Sequence, residues 1–358
     1  MNVLVAGAGK IGSLLAQLLA YRTGMHVLLA DAREEALVNI PQSLQLTTLN
    51  FDLMATDAAK ALITDHSITA IVSCLPYFCN SMLAQLAANQ GIHYFDLTED
   101  VASVAVVKEF ANGQQSAFVP RCGVAPGYIN ILAHDLMQSF ENLDTVRLRA
   151  GCLPKYVSNS LQYALSWSVD GLINEYGNVC EGIVEGQRVE LRPLEDIESL
   201  QLDGVEYEAF NTSGGVGELA NMYIGKIDKL NYKTIRYPGH GDRMRFLMHD
   251  LFLNEDRETL KRILVRALPK TDEDVMLVFV SVTGQLKGEL VEKSILKRIM
   301  PRSLYGKRWS AIQTATASSA AVVIDMVLSN PADYHGFILQ ENLSYQKFLA
   351  SPFAHVFQ

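Results

Sequence analysis

Three glycines, Gly7, Gly9 and Gly12, stand in "NVLVAGAGKIGSLLAQLLA" between a short apolar run and an amphipathic one. At this spacing the first permits a tight turn and the second lets backbone approach a pyrophosphate. The third lets a helix pack closely on a strand. The backbone around Lys10 and Ile11 then opens a helix whose N-terminus carries partial positive charge toward the phosphates. Asp31 closes "HVLLAD" about 20 residues on, where a carboxylate bonds both ribose hydroxyls and repels a 2′-phosphate. The expected cofactor is therefore NAD, with NADP second because Arg33 offsets part of the repulsion. The plainer alternative is a glycine turn beside a surface aspartate. Asp52 in "LNFDL" suits either the adenine edge or a turn or helix cap.

Further along the chain, other residue types could do chemistry. Ser73, Leu75 and Pro76 in "SCLP" follow a strand and could touch ribose and nicotinamide, although a proline also simply ends a strand. Asp96, Thr98 and Glu99 in "FDLTED" place carboxylates just past another strand, where Asp100 reads as a helix cap. Gly123 and Gly127 in "CGVAPG" would let backbone approach a ligand, and Asn130 follows them. Trp167 could wall an aliphatic chain or lie over an ammonium, or be core. Thr212 and Ser213 in "NTSGG" form either a carboxylate-binding loop or an ordinary hairpin loop. In "RYPGHGD", Arg236 can clamp a carboxylate bidentately, and His240 is an imidazole titrating near neutrality, or a structural one.

Elements must hold these residues in place. "NVLVA", "HVLLA", "ITAIVSCLP" and "IHYFDLT" read as strands, with helical runs between them, so residues 1–122 are expected to form a doubly wound parallel α/β sheet of the Rossmann kind. Residues 123–309 read as a second, mixed α/β domain expected to handle substrate. Its clear strands are "TVRLRAG" and "VMLVFVSVTG", with long irregular stretches between them. Residues 310–358 hold a helix of small residues expected to return to the first domain.

Bulk composition narrows the function. The chain has 358 residues, a net charge of −9 and no basic block, which argues against nucleic acid and fits a protein that handles small molecules. Five scattered cysteines show neither metal spacing nor a disulfide pattern, so no metal is expected. "TATASSAAVVIDMVL" reads as too short and too polar to span a bilayer. No membrane partner and a cytoplasmic location are expected.

"VSCLPYFCN", "YFDLTED", "RCGVAPGYINILA", "AGCLP", "LSWSVDGLINEY", "EAFNTSGG" and "KTIRYPGHGD" occur in this order, and the set resembles the saccharopine dehydrogenase-like family, especially its lysine 6-dehydrogenase branch. The resemblance implies a homo-oligomeric, NAD(P)-dependent oxidoreductase acting on a C–N bond of a lysine-type amino acid, lysine or saccharopine. Saccharopine-forming reductases are similar but carry an acidic residue where this chain has Ala125, which bears on a second dicarboxylate arm. Oxidising an amine requires its neutral form, so Asp96, Glu99 and His240 compete as acid/base. Gly123, Trp167, Thr212, Ser213 and Arg236 are the substrate candidates. Two other readings predict different behaviour: a non-enzymatic NAD-binding redox sensor would bind without turnover, and a polyamine-pathway reductase would form a C–N bond.

Overall fold

The computed structural model describes all 358 residues. Two compact units emerge: residues 1–127 with 313–358, and residues 128–312. The boundaries thus lie at 127/128 and 312/313, where the sequence suggests 122/123 and 309/310.

The first unit begins β1 (Asn2–Ala6), α1 (Gly12–Ala20), β2 (His26–Asp31), β3 (Leu46–Asn50), α2 (Thr56–Asp65) and β4 (Ala70–Ser73). It continues with α3 (Asn80–Gln90), β5 (His93–Asp96), α4 (Val101–Phe110) and β6 (Ala117–Val119). The strands lie parallel in the order β6-β5-β4-β1-β2-β3, with the tail strand Gly336–Phe337 added beside β6. Sheet order reverses between β1 and β4, and ligands of open α/β sheets bind at the carboxyl ends beside such a reversal. Covered on both faces, β1 is apolar at every inner position: Val3, Leu4, Val5 and Ala6 are all fully buried. One face packs Leu4, Leu28, Ile71, Tyr94 and Phe118 against α2, α3 and α4. Asp100 caps α4 by accepting the Ser103 N–H at 2.7 Å, as its sequence position suggests.

The second unit holds α5 (Tyr128–Met137), β7 (Asn142–Pro154), α6 (Val169–Gly177), β8 (Cys180–Val184), β9 (Gln187–Leu191) and β10 (Glu198–Leu202). Then come β11 (Val205–Asn211), α7 (Leu219–Met222), β12 (Lys229–Arg236), α8 (His240–Arg245), α9 (Arg257–Ala267), β13 (Asp274–Leu286), β14 (Glu289–Ile299), β15 (Arg302–Leu304) and β16 (Lys307–Trp309). Its mixed sheet runs β10-β11-β12-β7-β13-β14, with β8 and β9 attached through β12. The stretch expected to be irregular therefore contains five strands. Four hairpins turn on two residues that both have positive φ: Glu185-Gly186, Asp203-Gly204, Lys287-Gly288 and Tyr305-Gly306. Such turns match the twist of the strands they join, and glycine in second place removes much of their strain.

The chain ends with α10 (Ala311–Ser329), β17 (the tail strand Gly336–Phe337) and α11 (Tyr345–Ala350). By length and composition the 19-residue α10 could cross a membrane, contrary to the expectation from its sequence, but 89% of its apolar window is buried inside the protein. Its small side chains suit that burial. Ser319 Oγ donates to the Gly123 carbonyl at 2.7 Å, and Arg22 on the α1 side pairs with Asp325 at 2.6 Å.

Candidate functional site

The glycine loop sits at the carboxyl end of β1. Gly7 has φ +100°, and a Cβ there would meet the Cys74 carbonyl and Leu75 at 3.0 Å. At Gly12 a Cβ would lie 1.9 Å from the Gly7 carbonyl, so only glycine lets α1 start there. Gly9 differs, because nothing lies within 4 Å of the place its Cβ would take. Packing within the fold therefore demands two of the glycines and leaves the third to keep space open. Ser13 braces the turn, its Oγ donating toward the Ala8 and Gly9 carbonyls at 2.8 and 2.7 Å. No side chain caps α1 at Ile11, and its first turn has no acidic residue. A helix start of this kind, opening over a clear space, fits the pyrophosphate of a dinucleotide.

Asp31 is buried at the end of β2, and its Oδ2 accepts the Ala8 N–H at 2.8 Å. Its Oδ1 accepts the Arg33 N–H at 2.9 Å and Nε at 3.2 Å. Burial works against its charge, but the hydrogen bonds from Arg33 and Ala8 and the nearby guanidinium outweigh this and hold the carboxyl below its usual range. The Arg33 side chain is 63% exposed and so can move aside. Asp52 is exposed and closes a turn, its Oδ1 accepting the Met54 N–H at 2.9 Å just before α2.

On the next loop, Ser73 is buried and donates to Asn80 Oδ1 at 2.7 Å, which ties β4 to α3. Leu75 packs partly on the core, whereas Pro76 is exposed. Asp96, at the end of β5, has no exposed surface. Its Oδ1 accepts the N–H groups of Thr98 and Arg121 at 2.9 and 3.1 Å, and its Oδ2 accepts the Tyr94 hydroxyl at 3.0 Å. Burial pushes this carboxyl up to about 6, against those hydrogen bonds. Glu99, half-buried on the following loop, is the more accessible carboxylate. Gly123 and Gly127 are required by the packing of their own loop. A Cβ on Gly127 would sit 2.1 Å from the Gly123 carbonyl, and one on Gly123 would sit 3.2 Å from that of Pro126.

In the second unit, sequence reasoning picked Arg236 and His240 but missed the residues that join them, Glu175 and Tyr176. Arg236 Nε donates to the Tyr176 hydroxyl at 2.7 Å, and that hydroxyl lies 3.0 Å from His240 Nε2. A guanidinium only donates, so the tyrosine passes its proton toward Nε2, and Nδ1–H must donate to the Leu161 carbonyl at 2.7 Å. Burial, with Arg236's charge adding to it, pushes His240 down to about 3. Both ring nitrogens are committed and the ring stays neutral, so proton exchange near pH 7 does not fit it.

Arg236 is itself 3% exposed and packs over the rings of Tyr163 and Tyr176. Glu175 lies 3.7 Å from its Nη2 and is the counter-charge of the guanidinium. Burial raises the Glu175 carboxyl, while Arg236 and the hydroxyls of Thr234 and Thr212 oppose the rise. Thr212 and Ser213 are buried: Thr212 meets Thr234 Oγ1 at 2.7 Å, and Ser213 Oγ donates to the Asn174 carbonyl at 3.1 Å. "NTSGG" is therefore pinned to α6 rather than presented as an open anion loop. Trp167 packs partly on the same core, its indole N–H donating to the Tyr163 hydroxyl at 2.9 Å.

Family models match both parts of the chain: the saccharopine dehydrogenase NADP binding domain over residues 3–121, and the saccharopine dehydrogenase C-terminal domain over residues 123–357. Among solved structures, the chain is similar to apo saccharopine dehydrogenase (L-Glu forming) from Saccharomyces cerevisiae. The TM-score is 0.77 at 14% identity, covering 98% of this chain and 96% of that one. It is also similar to apo scyllo-inositol dehydrogenase from Lactobacillus casei, with TM-score 0.50 at 8% identity, covering 98% and 93%. At these identities the likeness shows the fold.

Proposed function

Because the chain belongs to the saccharopine dehydrogenase family, we propose that it is an NAD-linked dehydrogenase opening a C–N bond of a lysine-type amino acid, lysine or saccharopine. The observation that carries this reading is the buried, ionised Asp31 beside the open face of Gly9. Gly7, Gly9, Lys10, Ile11 and Gly12 would hold the pyrophosphate. Asp31 would take the ribose hydroxyls once Arg33 turns away. When bound, the nicotinamide supplies the two-electron redox chemistry. Glu99 is the residue we assign to take the amine's proton, because it is half-buried and accessible where Asp96 and His240 are almost fully enclosed by the protein.

The test is NADH absorbance with lysine, saccharopine, ornithine and diamines, each tried with NAD and NADP. Turnover of a lysine-type substrate with NAD supports the reading, and Asp31→Ala should then narrow the gap between the cofactors by weakening NAD. A wild type that prefers NADP would overturn the NAD assignment. One observation favours that second reading: the exposed Arg33 guanidinium stands within reach of a 2′-phosphate beside Asp31.

A further inference from the structure

The geometry points to Asp96 as a positioning residue, the bracket that fixes the backbone of Arg121–Gly127, and not a group that exchanges a proton with substrate. The inference rests on the amine-dehydrogenase reading for its activity readout alone.

Asp96 grips the segment after β6 twice. Its carboxylate accepts the Arg121 N–H at 3.1 Å, and its main-chain carbonyl accepts the Cys122 N–H at 2.8 Å. Between these grips, Arg121 takes φ +64°, a left-handed conformation unfavourable for a residue with a Cβ. Something must impose it, and the paired bonds from Asp96 do. The far side of the segment is held as well. The Pro120 carbonyl accepts Gln340 Nε2 at 2.8 Å, and the Gly123 carbonyl accepts Ser319 Oγ at 2.7 Å. Gly127 then closes against Gly123 through a backbone bridge. The segment is thus set from β5 on one side and from the tail on the other, and Asp96 is the carboxylate of β5 that reaches it.

Acid/base work needs an oxygen that can reach substrate. Here Oδ1 already takes two N–H donors and Oδ2 takes the Tyr94 hydroxyl. The other titratable groups around it are Arg121, Cys122 beyond β6 and Cys74 beyond β4, and burial pushes both thiols up. No group in this set offers a path for the proton.

Asparagine separates the two roles. Its Oδ1 keeps the two N–H bonds, and its Nδ2 donates to the Tyr94 oxygen, whose proton can turn to the Asn80 carbonyl 3.4 Å away. The experiment compares full-length wild type, Asp96→Asn and Asp96→Ala by kinetics across pH, NADH titration and amide hydrogen exchange. Asp96→Asn should keep kcat/KM within about threefold of wild type with an unchanged pH profile. Asp96→Ala should exchange faster at Arg121 and Cys122 and lose activity that asparagine restores. An Asp96→Asn that binds NADH normally but loses about a hundredfold in kcat, or one limb of the pH profile, overturns the inference. So does an Asp96→Asn that no longer folds. If wild type turns over no amine, the functional reading fails. The exchange data still decide this one, which falls if Asp96→Ala leaves Arg121 and Cys122 as protected as before.

Discussion

Replacing His240 with asparagine should flatten the acid sensitivity of the second unit. The ring is 1% exposed and is held neutral, with burial and Arg236 pushing it from 6.5 down to about 3. Its folded-state value lies below the unfolded one, so the unfolded chain binds the proton more readily. Stability from this group is complete above pH 6.5 and is lost progressively as pH falls toward 3. At pH 5 the gap below 6.5 corresponds to about 2 kcal/mol at roughly 1.4 kcal/mol per pH unit. Both tryptophans, Trp167 and Trp309, lie in this unit, so urea unfolding followed by their fluorescence reports it selectively. The carboxyls of Glu175 and Asp274, both raised by burial, also change protonation in the same unit, but they are present in both proteins and cancel. So does any fixed penalty of the substitution, once each protein is compared with itself at pH 7.5 and pH 5. Wild type should lose about 2 kcal/mol more than His240→Asn between these conditions. Equal losses would mean that His240 accepts a proton in the folded protein. The neutral relay from Arg236 through Tyr176 would then be wrong.

Two further substitutions test the packing arguments. Gly9→Ala should melt like wild type yet lose NADH binding, since its methyl enters open space. Gly12→Ala should lower Tm as well, because its methyl meets the Gly7 carbonyl at 1.9 Å; equal Tm values for the two would refute the assignment. Arg236→Ala should destabilise the second unit by about 3–5 kcal/mol by leaving Glu175 buried without its counter-charge. A normal urea midpoint combined with a raised KM would instead return Arg236 to the substrate site.

The first sheet was readable because its signals are local. A β-rich run, glycines at fixed spacing, a helix and a second strand ending in Asp31 follow one another within about 30 residues, the length of one βαβ unit. The second sheet was less so, although part of its signal was present. "DG" at 203–204 and "EG" at 185–186 are hairpin turns flanked by alternating residues, a pattern that marks strands pairing across two residues. They were obscured because β9 and β10 are half-exposed and short, with polar residues at their outward positions, which reads as loop when burial is unknown. The buried polar centre was legible in type but not in arrangement. A sequence shows that Arg236 is a strong carboxylate clamp; it does not show that a carboxylate 61 positions earlier, Glu175, already lies 3.7 Å away.

The same reasoning separates the two kinds of candidate residue in this chain. Glycines act through what they leave out. A Cβ at Gly12 would meet the Gly7 carbonyl, one at Gly7 would meet Cys74 and Leu75 from the loop after β4, and one at Gly9 would meet nothing within 4 Å. Yet their spacing alone already marks all three. Titratable side chains act through what they leave unbonded, and that depends in part on partners from distant segments as well as on near neighbours. Asp96 takes its partners from β5 and from beyond β6, while His240 takes its partners from α6 and from the loop before it. Each looks reactive as a residue type, and each is spent on holding the backbone or another side chain. A carboxylate or imidazole in "FDLTED" or "RYPGHGD" therefore gains a catalytic role only if the fold leaves one of its polar atoms uncommitted. Exposure separates them further: Glu99 on the β5–α4 loop is half-buried where Asp96 has no exposed surface, which makes it the first residue to test as the proton acceptor.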